Sequence, residues 1–312
     1  MSGRLTVAAA QFAPVFLDRD ATVEKAADLM ADAARQGVRL LVFPEAFVPG
    51  YPCWAWKVAA GEDDLLRSLY AEYLESSVSV PSPAVDRLCA AARRCRINVV
   101  LGISERDAAG SRTSMFNSLL FLDERGTLLG RHRKLVPTGG ERLIWGHGDG
   151  STLGAFDFPF GRVGGLICWE NYMPLARYSL YATGAQVYCA PTWDRGEPWL
   201  STLRHIGREG GVFVIGAGMA LHGDHVPDRL AFKPRFDSAA DNGWINPGDS
   251  AIADPTGALI AGPLHGEEGL LTVELDLDRE AGPKWELDVA GHYARPDVFQ
   301  LTVNREERPV VR

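Results

Sequence analysis

Short apolar runs alternate along the chain with longer stretches in which apolar residues return every three or four positions. Leu5–Ala10 predicts a buried first strand, and Asp20–Gln36 predicts a helix carrying Val23, Ala26, Leu29 and Met30 on one face. Asp20 is a plausible N-cap for it and Gly37 a plausible stop. Val38–Phe43 predicts a second strand closed by Pro44; helices follow at Asp63–Glu75 and Pro83–Cys95, then a strand from Asn98 to Ile103. Met115–Leu122 and Thr127–Arg133 flank Asp123-Glu-Arg-Gly126, a hairpin signal. Further on, strands are predicted at Arg162–Cys168, Gln186–Ala190 and Val212–Ala217, with helices at Pro174–Thr183 and Trp199–Glu209. A second hairpin turns at Asp254–Gly257, and Leu270–Leu275 is the last strand.

Helices interleave with strands at both ends of the chain, and hairpins sit between them. That order predicts an α/β protein with two mixed sheets packed face to face and covered by helices. The segment Leu221–Asn246 is polar, rich in His, Asp and Pro, and without period, so it reads either as a long functional loop or as a partly mobile stretch. From Gly282 to Arg312 few apolar residues keep register; this stretch reads as an arm over the protein's own surface or a neighbouring subunit.

Composition narrows the function class. At 312 residues and 46% hydrophobic content the chain can bury a large core, and a net charge of −8 argues against a polyanion partner. The basic run Arg131-His-Arg-Lys134 is too short to be a nucleic-acid footprint. No segment approaches the roughly 20 apolar residues of a membrane helix, and Leu5–Ala10 is too short for a signal-peptide core. Cys53, Cys89, Cys95, Cys168 and Cys189 are odd in number and lack metal-ligand spacing, so they read as free thiols in a reducing, cytoplasmic compartment. The histidines are scattered too, and no metal or cofactor is expected.

Three residues at strand exits carry candidate chemistry. Cys168, in Gly164-Gly-Leu-Ile-Cys-Trp-Glu-Asn171, leaves a strand toward a helix, where backbone N–H groups lower a thiol pKa and hold a developing anion; the alternative is a buried structural cysteine. Glu45 sits just past an apolar strand, where partial desolvation suits a general base, or else it is a solvated loop acid. Lys134 ends another strand as a cationic stabiliser or an ordinary surface lysine. Open sheets build their sites at such exits.

Together, Phe43-Pro-Glu45, Arg133-Lys-Leu-Val-Pro-Thr138 and Cys168-Trp-Glu-Asn171 resemble the nitrilase (carbon–nitrogen hydrolase) superfamily, whose members carry Glu, Lys and Cys in this order. The similarity runs from Ala8-Ala-Ala-Gln11 to Gly291-His-Tyr-Ala-Arg-Pro-Asp297. Lys134 through Gly150, Cys168 through Arg177 and Tyr188-Cys-Ala-Pro-Thr192 resemble the true nitrilase branch. The resemblance implies an α-β-β-α sandwich that dimerises into a four-layer pair and extends in some members to filaments. It also implies a hydrolase domain over residues 1–281 and an inter-subunit arm over 282–312.

The implied reaction converts an organic nitrile to a carboxylic acid and ammonia, with Cys168 as nucleophile, Glu45 as general base and Lys134 as charge stabiliser. Glu141 matches a second family glutamate that orients the lysine, or else it pairs with Arg142. The Trp169 N–H is a candidate donor to the intermediate, with Glu170 and Asn171 in support. Tyr51, Trp54 and Trp56 form a pocket wall or a packing cluster, and Pro191 and Trp193 border the same site. Rival readings are an amidase, carbamoylase or cyanide-hydrating enzyme on this fold, and a catalytically silent scaffold.

Overall fold

The computed structural model describes residues 3–108, 110–236 and 240–308. The chain opens with β1 (Arg4–Gln11), α1 (Arg19–Arg35), β2 (Leu40–Val42), α2 (Asp63–Ser76), β3 (Val78–Ser79) and α3 (Pro83–Cys95). It continues through β4 (Asn98–Arg106), β5 (Met115–Leu122), β6 (Leu128–Arg133), β7 (Ala155–Phe158) and β8 (Gly161–Gly165). Next come α4 (Pro174–Tyr181), β9 (Val187–Thr192), α5 (Glu197–Gly210), β10 (Phe213–Gly218) and β11 (Ala220–His222). The final elements are β12 (Trp244–Ala253), β13 (Leu259–His265), β14 (Gly269–Asp276) and α6 (Ala281–Glu286).

Local signals account for many of these bounds. α3 starts at Pro83 because Ser82 caps it through the Val85 N–H and proline is pre-set for the first helical turn. α1 is capped by Asp18, two residues before the expected cap, through the Ala21 N–H.

The strands form two mixed sheets, one ordered β14-β1-β2-β4-β5-β6 with β3 beside β4, the other β11-β12-β10-β9-β8-β7 with β13 beside β12. Alternation along each strand divides the core. Leu5, Val7 and Ala9 of β1 meet Val187 and Cys189 of β9 and Phe213 and Ile215 of β10 between the sheets. Ala8 and Ala10 face the other way, into the layer filled by α1, α2 and α3. Tyr188 and Ala190 of β9 likewise face α4 and α5. The molecule is therefore a helix–sheet–sheet–helix sandwich, as the element order implied.

Two expectations change. Leu221–Asn246 is not a structureless loop: β11 and the start of β12 lie in it, and Val226, Leu230 and Phe232 are buried in the helix-side core. Residues 237–239 of that stretch lie outside the described residues. The strand expected to reach Cys168 ends at Gly165, so the thiol sits three residues beyond the sheet, in a 3-10 turn over Cys168–Tyr172. Within the chain, the arm's Arg308 N–H donates to Asp149 (2.8 Å), and Val303 packs against the core cluster of α4 and α5. Its last residues, 309–312, are outside the described residues. No helix among the described residues is long and apolar enough to cross a membrane.

Candidate active site

Glu45, Lys134 and Cys168 come from different parts of the fold and converge in the interior. Glu45 follows β2 in a turn laid against β4: a Cβ on Gly102 would stand 2.1 Å from the Pro44 carbonyl oxygen and 2.6 Å from the Ala46 nitrogen. Only a glycine at 102 lets that turn lie so close. Lys134 leaves β6 with its backbone N–H on the Asn117 carbonyl of β5 (2.8 Å). Cys168 takes a left-handed conformation, φ +52°, which lifts it out of the β8 exit into the short helix. A non-glycine residue in this region is strained and is found mostly where function holds it.

The side chains form one hydrogen-bonded unit. The Lys134 ammonium donates to Glu45 Oε1 (2.8 Å) and to Glu141 Oε2 (2.7 Å), and all three are buried. One oxygen from each carboxylate and the Cys168 sulfur lie within 4.8 Å of one another. The lysine supplies the positive charge that such a gathering of acidic groups requires. Glu45 Oε1 also accepts from Asn117 Nδ2 (2.7 Å), and Oε2 accepts from the Trp193 N–H (2.7 Å). The Glu141 side chain is held by the Thr138 N–H (2.8 Å) and by the Tyr51 hydroxyl (2.7 Å). Arg142, the alternative partner for Glu141, instead donates to the Pro137 carbonyl (3.2 Å).

The electrostatics follow from burial and company. Burial raises the Glu45 carboxyl above its usual range; the Lys134 charge pulls it back and the Glu141 charge pushes it up again. Burial works against the Lys134 ammonium, but Glu45, Cys168 and Glu141 outweigh it and hold the group charged. The Cys168 thiol is raised well above its ordinary value, first by burial and then by the Glu45 charge, against the lowering effects of Lys134 and a Thr192 hydrogen bond. This reverses the expectation of a thiol lowered by a helix terminus. Desolvation and a nearby carboxylate outweigh the backbone dipoles of one short turn. Such a thiol must lose its proton during attack, and a base with a raised pKa lies beside it.

The supporting residues divide by what they touch. The buried Glu170 accepts from the Leu135 N–H (2.7 Å) and the Ile167 N–H (2.8 Å), and it faces His132 Nε2 (3.1 Å). One carboxylate thus spans the backbone just after Lys134 and just before Cys168. Asn171 ties the turn to itself through the Cys168 carbonyl (2.8 Å) and accepts from the Tyr188 hydroxyl (2.8 Å). Trp169 points outward, half exposed, its indole N–H on Asp194 (3.0 Å).

The expected pocket residues separate. Tyr51 is buried, stacked on Trp193 with ring centroids 4.2 Å apart, and its hydroxyl accepts from the Trp56 indole (2.9 Å). Pro191 is buried near the end of β9, one residue before Thr192. Trp54 packs among Phe16, Tyr73 and Phe232 in the helix-side core. A tryptophan with no exposure, surrounded by aromatic edges, is core filling.

Sequence reading missed Asn117 and Thr192. Asn117 left a signal, a buried amide inside the apolar strand Met115–Leu122, where an unpaired polar group would be costly. Thr192 was legible only as the last residue of the Tyr188–Thr192 motif, and its type gave no role, because a threonine suits any strand.

A family model for carbon-nitrogen hydrolases matches residues 6–282. The chain belongs to the carbon–nitrogen hydrolase family. A bifunctional nitrilase/nitrile hydratase of Nicotiana tabacum is 41% identical over 302 residues, covering 94% of this chain and 84% of the relative. Nitrilase 1 of Arabidopsis thaliana is 40% identical over 314 residues, covering 99% and 90%. The crystal structure of Saccharomyces cerevisiae Nit3, a member of branch 10 of the nitrilase superfamily, superposes with a TM-score of 0.72 at 21% identity, covering 94% of this chain and 97% of that one. That last likeness concerns the family fold.

Proposed function

We propose that this chain hydrolyses organic nitriles to carboxylic acids and ammonia. The observation that carries the reading is the convergence of Glu45, Lys134 and Cys168 into one buried unit. Relatives about 40% identical and named as nitrilases support it.

Glu45 takes the thiol proton as Cys168 Sγ attacks the nitrile carbon, and the proton passes to nitrogen to give a neutral thioimidate. Water, deprotonated by Glu45, adds to that carbon and forms a tetrahedral intermediate. Lys134 and the Trp169 N–H stabilise the charge that develops there. Expulsion of ammonia, protonated by Glu45 in its acid form, leaves an acyl-thioester, and a second water releases the acid and restores the thiol. The same intermediate yields amide if the thiolate leaves instead. The name of the tobacco relative joins nitrilase and nitrile hydratase, so some amide release belongs to the proposal. Tyr51, Pro191 and Trp193 border the substrate.

The test is a panel of aliphatic, aromatic and arylacetonitriles with ammonia and amide both quantified. Ammonia and acid as main products, lost in Cys168→Ala, support the reading. Amide as the main product from every nitrile, or turnover of amides alone, refutes it.

The reading extends to a cytoplasmic homodimer, with higher assembly through the arm. Leu175 of α4 and Phe299 of the arm are more than half exposed and line one cavity, an apolar surface suited to a second copy. Truncation after Ala281 is expected to lower the mass in solution; an unchanged mass refutes the arm's role.

A further inference from the structure

Segment Asn246–Ser250 of β12 carries three buried polar side chains, Asn246, Asp249 and Ser250, that the reaction above does not use, and the first two reach the β9–α5 loop. Asn246 Nδ2 donates to the Trp193 carbonyl (2.6 Å), and its Oδ1 accepts from the Gly248 N–H (3.0 Å). Asp249 Oδ2 accepts from the Gly196 N–H (2.8 Å), and Oδ1 lies 2.6 Å from His265 Nδ1. The β9–α5 loop is thus gripped at both ends, at Trp193 and at Gly196. That loop begins with the N–H that holds Glu45 Oε2.

The backbone here is shaped to aim these side chains. Asp249 stands where the β12–β13 register breaks between Gly248 and Ser250, and its φ is +67°. A bulge of this kind redirects a side chain. Glycine would take that φ with less strain, so stability of the turn alone does not call for a carboxylate. The segment is also fixed to the opposite sheet. Gln11 of β1 accepts from the Ser250 N–H (2.8 Å) and donates to the Leu264 and Glu267 carbonyls (both 2.9 Å). Its amide fills the space beside Gly248, where a Cβ would stand 2.1 Å from Gln11 Cδ.

We propose that Asn246 and Asp249 are positioning residues for catalysis: they fix the Trp193–Gly196 loop so that its first N–H holds the Glu45 carboxylate in one orientation. The kinetic arm of the test rests on the nitrile-hydrolysing reading; the thiol arm does not.

Asp249→Gly relieves the backbone and deletes the acceptor, whereas Asp249→Asn keeps an oxygen for the Gly196 N–H. Asn246→Asp keeps the Gly248 contact and sets a carboxylate against the Trp193 carbonyl. A carboxylate that loses an N–H donor binds its proton more tightly, so the base fails at a higher pH. The titratable groups that interact with the Glu45 charge are Lys134, Glu141, Cys168, Tyr51 and Tyr73, Asn117 donates to it as well, and none of them is altered.

For the best nitrile of the panel, Asp249→Gly and Asn246→Asp are expected to lower kcat about tenfold or more with KM within about twofold. The acid limb of kcat/KM moves upward by about half a unit to one unit. Alkylation of Cys168 by iodoacetamide, followed by peptide mass against pH, shifts in the same direction. Asp249→Asn stays near the parent in all three. An unmoved acid limb in Asp249→Gly and Asn246→Asp overturns the proposal, whatever happens to thermal stability. Equal damage in Asp249→Asn and Asp249→Gly overturns it as well. If the parent turns over no nitrile, the function reading fails while the alkylation profile still decides this one.

Discussion

Replacing Tyr51 by phenylalanine removes a single oxygen from behind the reacting groups. That hydroxyl donates to Glu141 Oε1 at 2.7 Å, while Glu141 Oε2 is taken by Lys134 and the Thr138 N–H. Tyr51 and Glu141 are each about 1% exposed, so no bulk water stands ready to replace the donor. The Trp56 indole, which also loses its acceptor, is half exposed and can turn to solvent. The cost is therefore that of one hydrogen bond to a buried charge, about 1.5–3 kcal/mol. If that loss falls on the transition state, where Lys134 must hold a developing charge, kcat drops by about 10- to 100-fold. KM moves little, because the stack of the Tyr51 ring on Trp193 survives the change. Steady-state kinetics on the best nitrile and a thermal unfolding curve check the result. A kcat within twofold of the parent, with thermal stability unchanged, would refute the claim that Glu141 depends on this donor.

Lys134→Arg is expected to lower kcat by about 100-fold or more, because a forked guanidinium does not fit a fully buried slot between two carboxylates; near-normal turnover shows that charge alone suffices. Gly102→Ala forces a methyl into the Pro44–Ala46 backbone and is expected to cost about 2–3 kcal/mol and displace Glu45; thermal unfolding and kcat should fall together. Burial raises the Glu170 carboxyl, but His132 and two backbone N–H groups outweigh it and hold the group below its ordinary 4.5. A depressed folded-state pKa gives stabilisation that is complete above about pH 4.5 and lost as pH falls through the folded value. Glu170→Gln should therefore be less stable than the parent at pH 7 by about 1–3 kcal/mol, with the gap narrowing in acid; a constant gap from pH 7 to pH 3 in thermal unfolding contradicts the assignment.

The sequence alone determined much of what depends on near neighbours. Ser82 followed by Pro83 placed the start of α3, and the turn Asp123–Gly126 placed the β5–β6 hairpin, since caps and turns act over a few residues. Glu45, Lys134 and Cys168 were legible as strand-exit residues in family order, but their meeting was not: Glu45 and Lys134 are 89 positions apart. The pairing of β2, β4, β5 and β6 in one sheet brings those two within hydrogen-bond reach, and the packing of the second sheet adds Cys168. The direction of the Cys168 pKa also belonged to the tertiary structure, because burial and the charges of Glu45 and Lys134 arrive from other elements. Trp54 reads the same in sequence whether it lines a pocket or fills a core, and Phe16, Tyr73 and Phe232 decide the matter. The polar run Leu221–Asn246, which overlaps the start of β12, concealed Asn246, whose side chain meets a carbonyl 53 residues away. Local pattern sets elements and their ends; burial, charge and reach are sums over distant segments, and only the folded chain supplies them.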